Sequence, residues 1–290
     1  MQLRALAAFL AAATVLAGQS LSDRLREVRI PWEAQIDRGD APEVRTGIEA
    51  LLGREGVSVN PADYNDMHAL VALHALAARA CVSEGSWEDA VAHLEKAQAA
   101  ADENLANATA MLSKTRAEHE AKLKEFRAAL AAQQPRLKAL DDAPGLTEDQ
   151  IKLRQQLKIF VQEQQAAIAH SEQAIADIGT ILATLQQDKE RTAQSLAAWQ
   201  AFLAQEKADI AQAGGTAPYV AAKLAQVRAD ESRPEAERLA YARRLQKLDP
   251  ANEEVAHFVR YLLGQEATPA PMPRPSTPRK TRHRVIPHRK

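Results

Sequence analysis

The sequence predicts an all-α fold, and three observations carry that prediction. Across residues 147–214 apolar residues return every seven positions: Val161, Ile168, Ile175, Leu182, Leu196, Leu203 and Ile210, with Lys189 as the interruption. A second seam lies four positions behind, where Leu157, Ile178, Leu185 and Trp199 alternate with Gln164, Ser171, Thr192 and Glu206. That is an a/d heptad, the period of a helix packed along another helix. The composition agrees: aromatic residues make up 4% of the chain, while Ala, Gln, Glu, Lys and Leu dominate, which suits long helices. Strand signals, meaning alternating β-branched runs bounded by turns, are missing.

Taken in order, residues 1–17 read as a secretory signal peptide. Arg4 precedes an apolar run, and Val15 and Ala17 supply the small residues expected before cleavage at Gly18. The run is short for a membrane span, which needs ~20 residues, so an exported protein is expected, periplasmic or extracellular, with no span left after cleavage; the alternative reading of the leader is an uncleaved anchor. Helices follow over Trp32–Arg38, Ala41–Leu52 and Tyr64–Glu84. Asp40, Asn60 and Ser86 precede acidic first turns as candidate caps, and Gly39 and Gly85 stand where a left-handed residue closes a helix. From Trp87 a helix runs without Gly or Pro to Gln134, and Pro135 is expected to break it.

Asp141–Gly145 reads as a turn. Thr147 with Gln150 forms a capping box, and Leu146 with Ile151 a hydrophobic staple, at the start of the heptad helix. The short connection makes the two long helices an antiparallel coiled-coil hairpin. The expected layers are Phe126–Leu157, Leu123–Val161, His119–Gln164, Leu112–Ser171 and Leu105–Ile178, with Trp87 opposite about Leu196. The hairpin should project roughly 60–70 Å at 1.5 Å per residue. Residues 196–213 then run past their partner and are expected to pack on Tyr64–Glu84. Gly214-Gly215 ends the long helix. Helices to about Ala229, over Pro234–Leu248 and over Glu253–Leu263 complete the body.

The organisation that emerges is a signal peptide (1–17), N-terminal helices (18–99), the hairpin (100–195), C-terminal helices (196–267) and a Pro-rich basic tail (268–290). The tail holds seven Lys/Arg and no acid: Arg274, Arg279, Lys280, Arg282, Arg284, Arg289 and Lys290. Without the tail and Arg4, 29 of the 37 basic residues remain against 38 acidic ones, so the near-neutral total hides a body of about −9 and a tail of +7. The tail cannot bury a core and is expected to be disordered. It could contact cell wall or another anionic polymer, or lie solvated against the acidic body.

Gly85, Trp87, Ala90, Leu94 and Ala97 carry a resemblance to the tetratricopeptide repeat. In that family a glycine closes helix A, an aromatic follows, and Ala, a large apolar residue and Ala recur on helix B. Ala77, Ala78 and Cys81 fall where helix A offers small packing residues. A weaker copy spans Gly39, Ala41, Val44, Ile48 and Leu51. Leu248-Asp249-Pro250 is similar to the family's inter-repeat turn. The chain departs from the family at Pro31, at Arg238, and in the 46-residue spacing of the two glycines, against a family period of ~34. The resemblance implies stacked helical pairs that bind protein partners, with the hairpin inserted between repeat-like halves. It makes Arg79, on helix A, a candidate groove contact, or an ordinary surface arginine.

Catalytic chemistry finds little footing. HExxH, a phosphate loop and GxSxG are missing, and His68 and His74, six apart, fall on different helix faces. Cys81, the lone cysteine, reads as a buried structural thiol, so no catalytic, cofactor or metal residue is assigned. The leading expectation is an exported, non-catalytic scaffold or adaptor for a protein partner. The second is a self-associating structural coiled-coil envelope protein that pairs through Trp199, Phe202 and the outer helix. An enzyme of unrecognised type is the third.

Overall fold

The computed structural model describes residues 20–53, 59–60 and 62–265, so the expected signal peptide (1–17) and the basic tail (268–290) lie outside the described residues. Those residues form eight α-helices, and among them there is no strand. We number them α1 (Leu21–Asp37), α2 (Ala41–Leu52), α3 (Tyr64–Ser83), α4 (Trp87–Asp141), α5 (Glu148–Gln212), α6 (Thr216–Ala229), α7 (Glu235–Leu248) and α8 (Glu253–Leu262). Among the described residues no helix is long and apolar enough to cross a membrane.

The first helix is longer than expected. Ser20 caps it by accepting a hydrogen bond from the Asp23 amide, and Pro31 lies inside rather than at an end. Leu21, Leu25, Trp32 and Ile36 bury one stripe of α1 against α2 and α3, with Ala41, Val44, Ile48, Leu73 and Ala77 opposite. Gly47 matters to that contact: a Cβ there would come within 2.9 Å of the Trp32 indole. The turns between α1 and α2 and between α3 and α4 carry Gly39 and Gly85 at φ 89° and 71°, the left-handed conformation expected of them. The caps differ in part from expectation. Asp63, not Asn60, caps α3, and neither Asp40 nor Ser86 makes a side-chain cap.

α4 packs on α3 through Met67, Val71, Ala97, Ala100 and Ala101. Asn104 extends that contact by donating to the Tyr64 carbonyl at 3.2 Å. Past Leu112 no residue of α4 is buried, and α5 is its neighbour there. We call this two-helix projection the arm. From Leu112 to Asp141 it measures ~45 Å at 1.5 Å per residue, shorter than the expected 60–70 Å because α3 covers the first part of α4.

Pro135 does not break α4, which continues to Asp141. Its ring is exposed and sits two turns from the helix end. Asp141 is also held across the turn by Arg154 and Lys158 of α5, at 3.9 and 3.2 Å. The capping box at Thr147 and Gln150 forms as expected, but Ile151 of the anticipated staple is 38% exposed.

The register also differs from expectation. Leu112 packs with Ile178 and Leu185, His119 faces His170, Arg127 pairs with Glu172, and Trp87 reaches Phe202. For Ile178, His170 and Phe202 the α5 partner therefore lies six or seven residues further along the chain than expected, and the Arg127–Glu172 ion pair reaches further still. The cause is geometric: the expected layers centre between residues 141 and 142, whereas the observed turn spans residues 142–147 and so centres a few residues later. The seams exchange rank as well. The buried positions of α5 are Leu157, Ser171, Ile178, Leu185, Thr192, Leu203 and Glu206, mostly the polar-interrupted seam, while Val161, Ile168, Ile175 and Leu182 are half-buried.

The last three helices close a second core of Tyr219, Val220, Leu224, Leu239, Leu245, Val255, Phe258 and Leu262. Asn252 caps α8 through the Val255 amide, as the Leu-Asp-Pro turn suggested.

Candidate functional site at the root of the arm

α7 meets α4 and α5 where the arm leaves the body, and the contact is charged. Arg244 of α7 is 5% exposed and Glu206 of α5 is 4% exposed. The Arg244 guanidinium donates to Glu206 Oε2 from Nε at 3.0 Å and from Nη2 at 2.5 Å, and to Oε1 from Nε at 3.3 Å. Its other edge grips Glu88 at the start of α4, with both bonds at 2.6 Å. One planar cation thus binds two carboxylates from two helices, a geometry that arginine's five fixed donors allow and lysine's do not.

Burial opposes the Arg244 charge, but hydrogen bonds from Glu88 and Glu206 outweigh it and the pKa moves up. The same hydrogen bond from Arg244 holds the Glu88 carboxyl below its usual range. The guanidinium also stacks 5.0 Å over the Trp87 ring. Around it Trp87 meets Trp199, Phe202 and Tyr241 with ring centroids 5.8, 5.0 and 5.3 Å away, largely edge-on.

Neighbouring bonds complete the junction. Arg243 donates to the carbonyls of Gly39 and Ser83, the ends of the two glycine-closed turns, at 3.2 and 3.0 Å. Lys247 donates to the Ser86 hydroxyl, which explains why Ser86 does not cap α4. Gly85 lies so close to α7 that a Cβ would fall 2.4 Å from the Arg244 amide nitrogen. α7 therefore docks on the α1–α2 and α3–α4 turns by backbone contact as well as by charge.

The sequence-expected contact residues fall around this root. Trp199 is half-buried and, with Leu196, packs on Ala78, Cys81, Ala90 and Leu94, partly as the expected packing of residues 196–213 on α3 requires. Phe202 keeps 37% of its surface exposed while its ring contacts Trp87 and Trp199. Arg79 is half-exposed and pairs with Asp37 of α1 at 3.2 Å and Glu33 at 3.9 Å. The candidate tail residues Arg274 to Lys290 lie outside the described residues. Cys81 is fully buried, and burial pushes its thiol up to about 11.

Two histidine pairs escaped the sequence reading. His74 of α3 and His93 of α4 approach to 3.2 Å between Nδ1 atoms. Burial, then His93 and Lys96, lowers the His74 pKa to about 4, and burial with Lys96 and Arg45 lowers that of His93. His119 and His170 meet across the arm at 6.1 Å. Among the described residues no group of three or more His, Cys, Asp or Glu is placed to hold a metal ion. An open groove of about 400 Å³ separates α6 from α8, lined by Leu224, Ala225, Arg228 and Glu254. Arg228 spans it by donating to the Glu254 carbonyl at 2.9 Å and stacking on Phe258. Comparison of the chain with protein-family models, curated proteins and solved structures finds no match.

Proposed function

We propose that this chain is an exported, non-catalytic scaffold: a helical body that binds protein partners and presents a coiled-coil hairpin as a rigid arm. The observation that carries this reading is the arm root. A buried Arg244–Glu206–Glu88 cluster and four aromatic rings fix α4 and α5 to the body at the point where they leave it. A clamp of that kind resists bending of the arm against its base, which is the mechanical property a spacer or adaptor needs. A freely hinged arm would have no use for it.

The tetratricopeptide-like reading of the body draws support from the same region. Ala77, Ala90 and Ala97 are fully buried, as close approach of paired helices requires, and Gly39 and Gly85 close their helices in the left-handed conformation. The half-exposed Arg79 and the α6–α8 groove are the body's candidate partner surfaces. The signal-like leader argues for export, and the basic tail for an anionic envelope polymer as a secondary contact.

The test is capture from envelope extract with the full mature chain and with a variant whose arm is shortened by whole heptads, removing 120–168 and rejoining the helices with a turn. Partners retained by the full chain and lost by the shortened one support the scaffold reading. Identical partner sets from both would remove the arm from the function.

A further inference from the structure

Where the arm's two helices run side by side their charges differ: α4 residues 113–129 hold five Lys/Arg against three Asp/Glu, while α5 residues 161–177 hold three Asp/Glu and no Lys/Arg. His119 faces His170 within this stretch, and Arg127 and Glu172 meet at 2.7 Å. Lys114, Lys122 and Lys124 on α4, with Glu163 and Asp177 on α5, are exposed.

The arm is also thinly covered. From residue 113 to residue 156 nothing is buried. Leu123, Phe126 and Leu130 on α4 and Val161, Ile168 and Ile175 on α5 remain half-buried, and Ile159 is 56% exposed. Two helices shield each other's seam from one side. Four helices arranged antiparallel enclose it, and opposite charges on neighbouring helices select the pairing.

We propose that the arm pairs with the arm of a second copy of this chain in a two-fold four-helix bundle. The two arms point the same way, and the acidic α5 of each copy lies against the basic α4 of the other. The two-fold axis then runs along the arms, every neighbouring pair of helices is antiparallel, and the charged segments meet at the same level. A surface ~45 Å long and two helices, or ~20 Å, wide buries roughly 900 Å² per copy, the size of a standard stable interface. Acid-on-base matching makes the association salt-sensitive and sets its orientation.

The experiment is sedimentation equilibrium of the mature full chain up to roughly 100 µM, weaker than the micromolar limit expected of an interface this size. A dimer mass that falls toward monomer in high salt is expected; a monomer throughout overturns the proposal. Lys114→Glu with Lys124→Glu places like charges level with Asp177 and Glu163, so that variant should be monomeric with unchanged helicity. Glu163→Lys with Asp177→Lys should do the same. Mixing the two variants in equal amounts should restore a dimer that contains one of each. A dimer that survives either double substitution, or a mixture that stays monomeric, refutes the charge-matched arm interface. Should either variant lose helicity, the salt response of the wild-type mass decides instead.

Discussion

Replacing Arg244 by methionine gives the sharpest test of the arm-root clamp. The substitution keeps an unbranched apolar stem but removes the cation, leaving Glu206, 4% exposed in the native protein, without its partner. Removing one member of a buried ion pair costs ~3–5 kcal/mol, since the remaining charge keeps its desolvation penalty and loses its compensation. The stacking on Trp87 adds about 1 kcal/mol to the loss. Glu88 behaves differently. Its side chain is 59% exposed and water can replace the arginine, so Glu88→Gln should cost about 1 kcal/mol or less.

Changing both buried partners, Arg244→Met with Glu206→Leu, removes the stranded charge and should recover most of the single-mutant loss. The assay is denaturant unfolding of the mature chain, read by circular dichroism. If Glu88→Gln costs as much as Arg244→Met, or the double variant recovers nothing, the cluster does not hold the root as described.

The remaining predictions concern other parts of the body. The His74 pKa is depressed to about 4, so stability should fall as pH drops below the unfolded histidine value of about 6.5 toward 4, and His74→Phe should flatten that acid limb in denaturation midpoints. Gly85→Ala combines a φ of 71° with a Cβ 2.4 Å from α7 backbone, so it should destabilise well beyond the ~1–2 kcal/mol of left-handed strain. Gly214→Ala, at φ 81° with open space around it, should cost only that strain, and parallel melts separate the two. Cys81 is fully buried with its thiol raised to about 11, so a thiol reagent should label it at the rate of unfolding or local opening, and prompt labelling of the native chain would contradict the packing.

The all-helical fold and most helix ends were legible because they follow from local rules: heptad spacing, the Thr147–Gln150 box, and the glycines at 39, 85 and 214. What failed to show was set by distance in the chain. Pro135 breaks a helix by local rules, yet α5 holds the last turns of α4 in place. Ser86 has the chemistry of a cap, but Lys247 takes its hydroxyl. Arg244 reads as one of many surface arginines in a charged helix; its role depends on Glu88 and Glu206, 156 and 38 residues away. The polar residues of the second heptad seam were a usable signal. Ser171, Thr192 and Glu206 at inward positions marked places where the partner surface had to be small or charged. For Glu206 that surface is an arginine.

The clamp also orders the events of folding. Glu88 and Arg244 are separated by 156 residues, a loop that would be slow to close at random. Once the 142–147 turn forms, however, α4 and α5 can zip toward the body through contacts that are each near neighbours of the last. That zipper delivers Glu206 beside Glu88 before α7 has to find either. α7 then supplies Arg243, Arg244 and Lys247 together and fastens both early turns at once. During synthesis the arm is therefore complete, and its base still open, until residues near 248 emerge. A chain truncated before α7 would keep a zippered arm on an unlatched body.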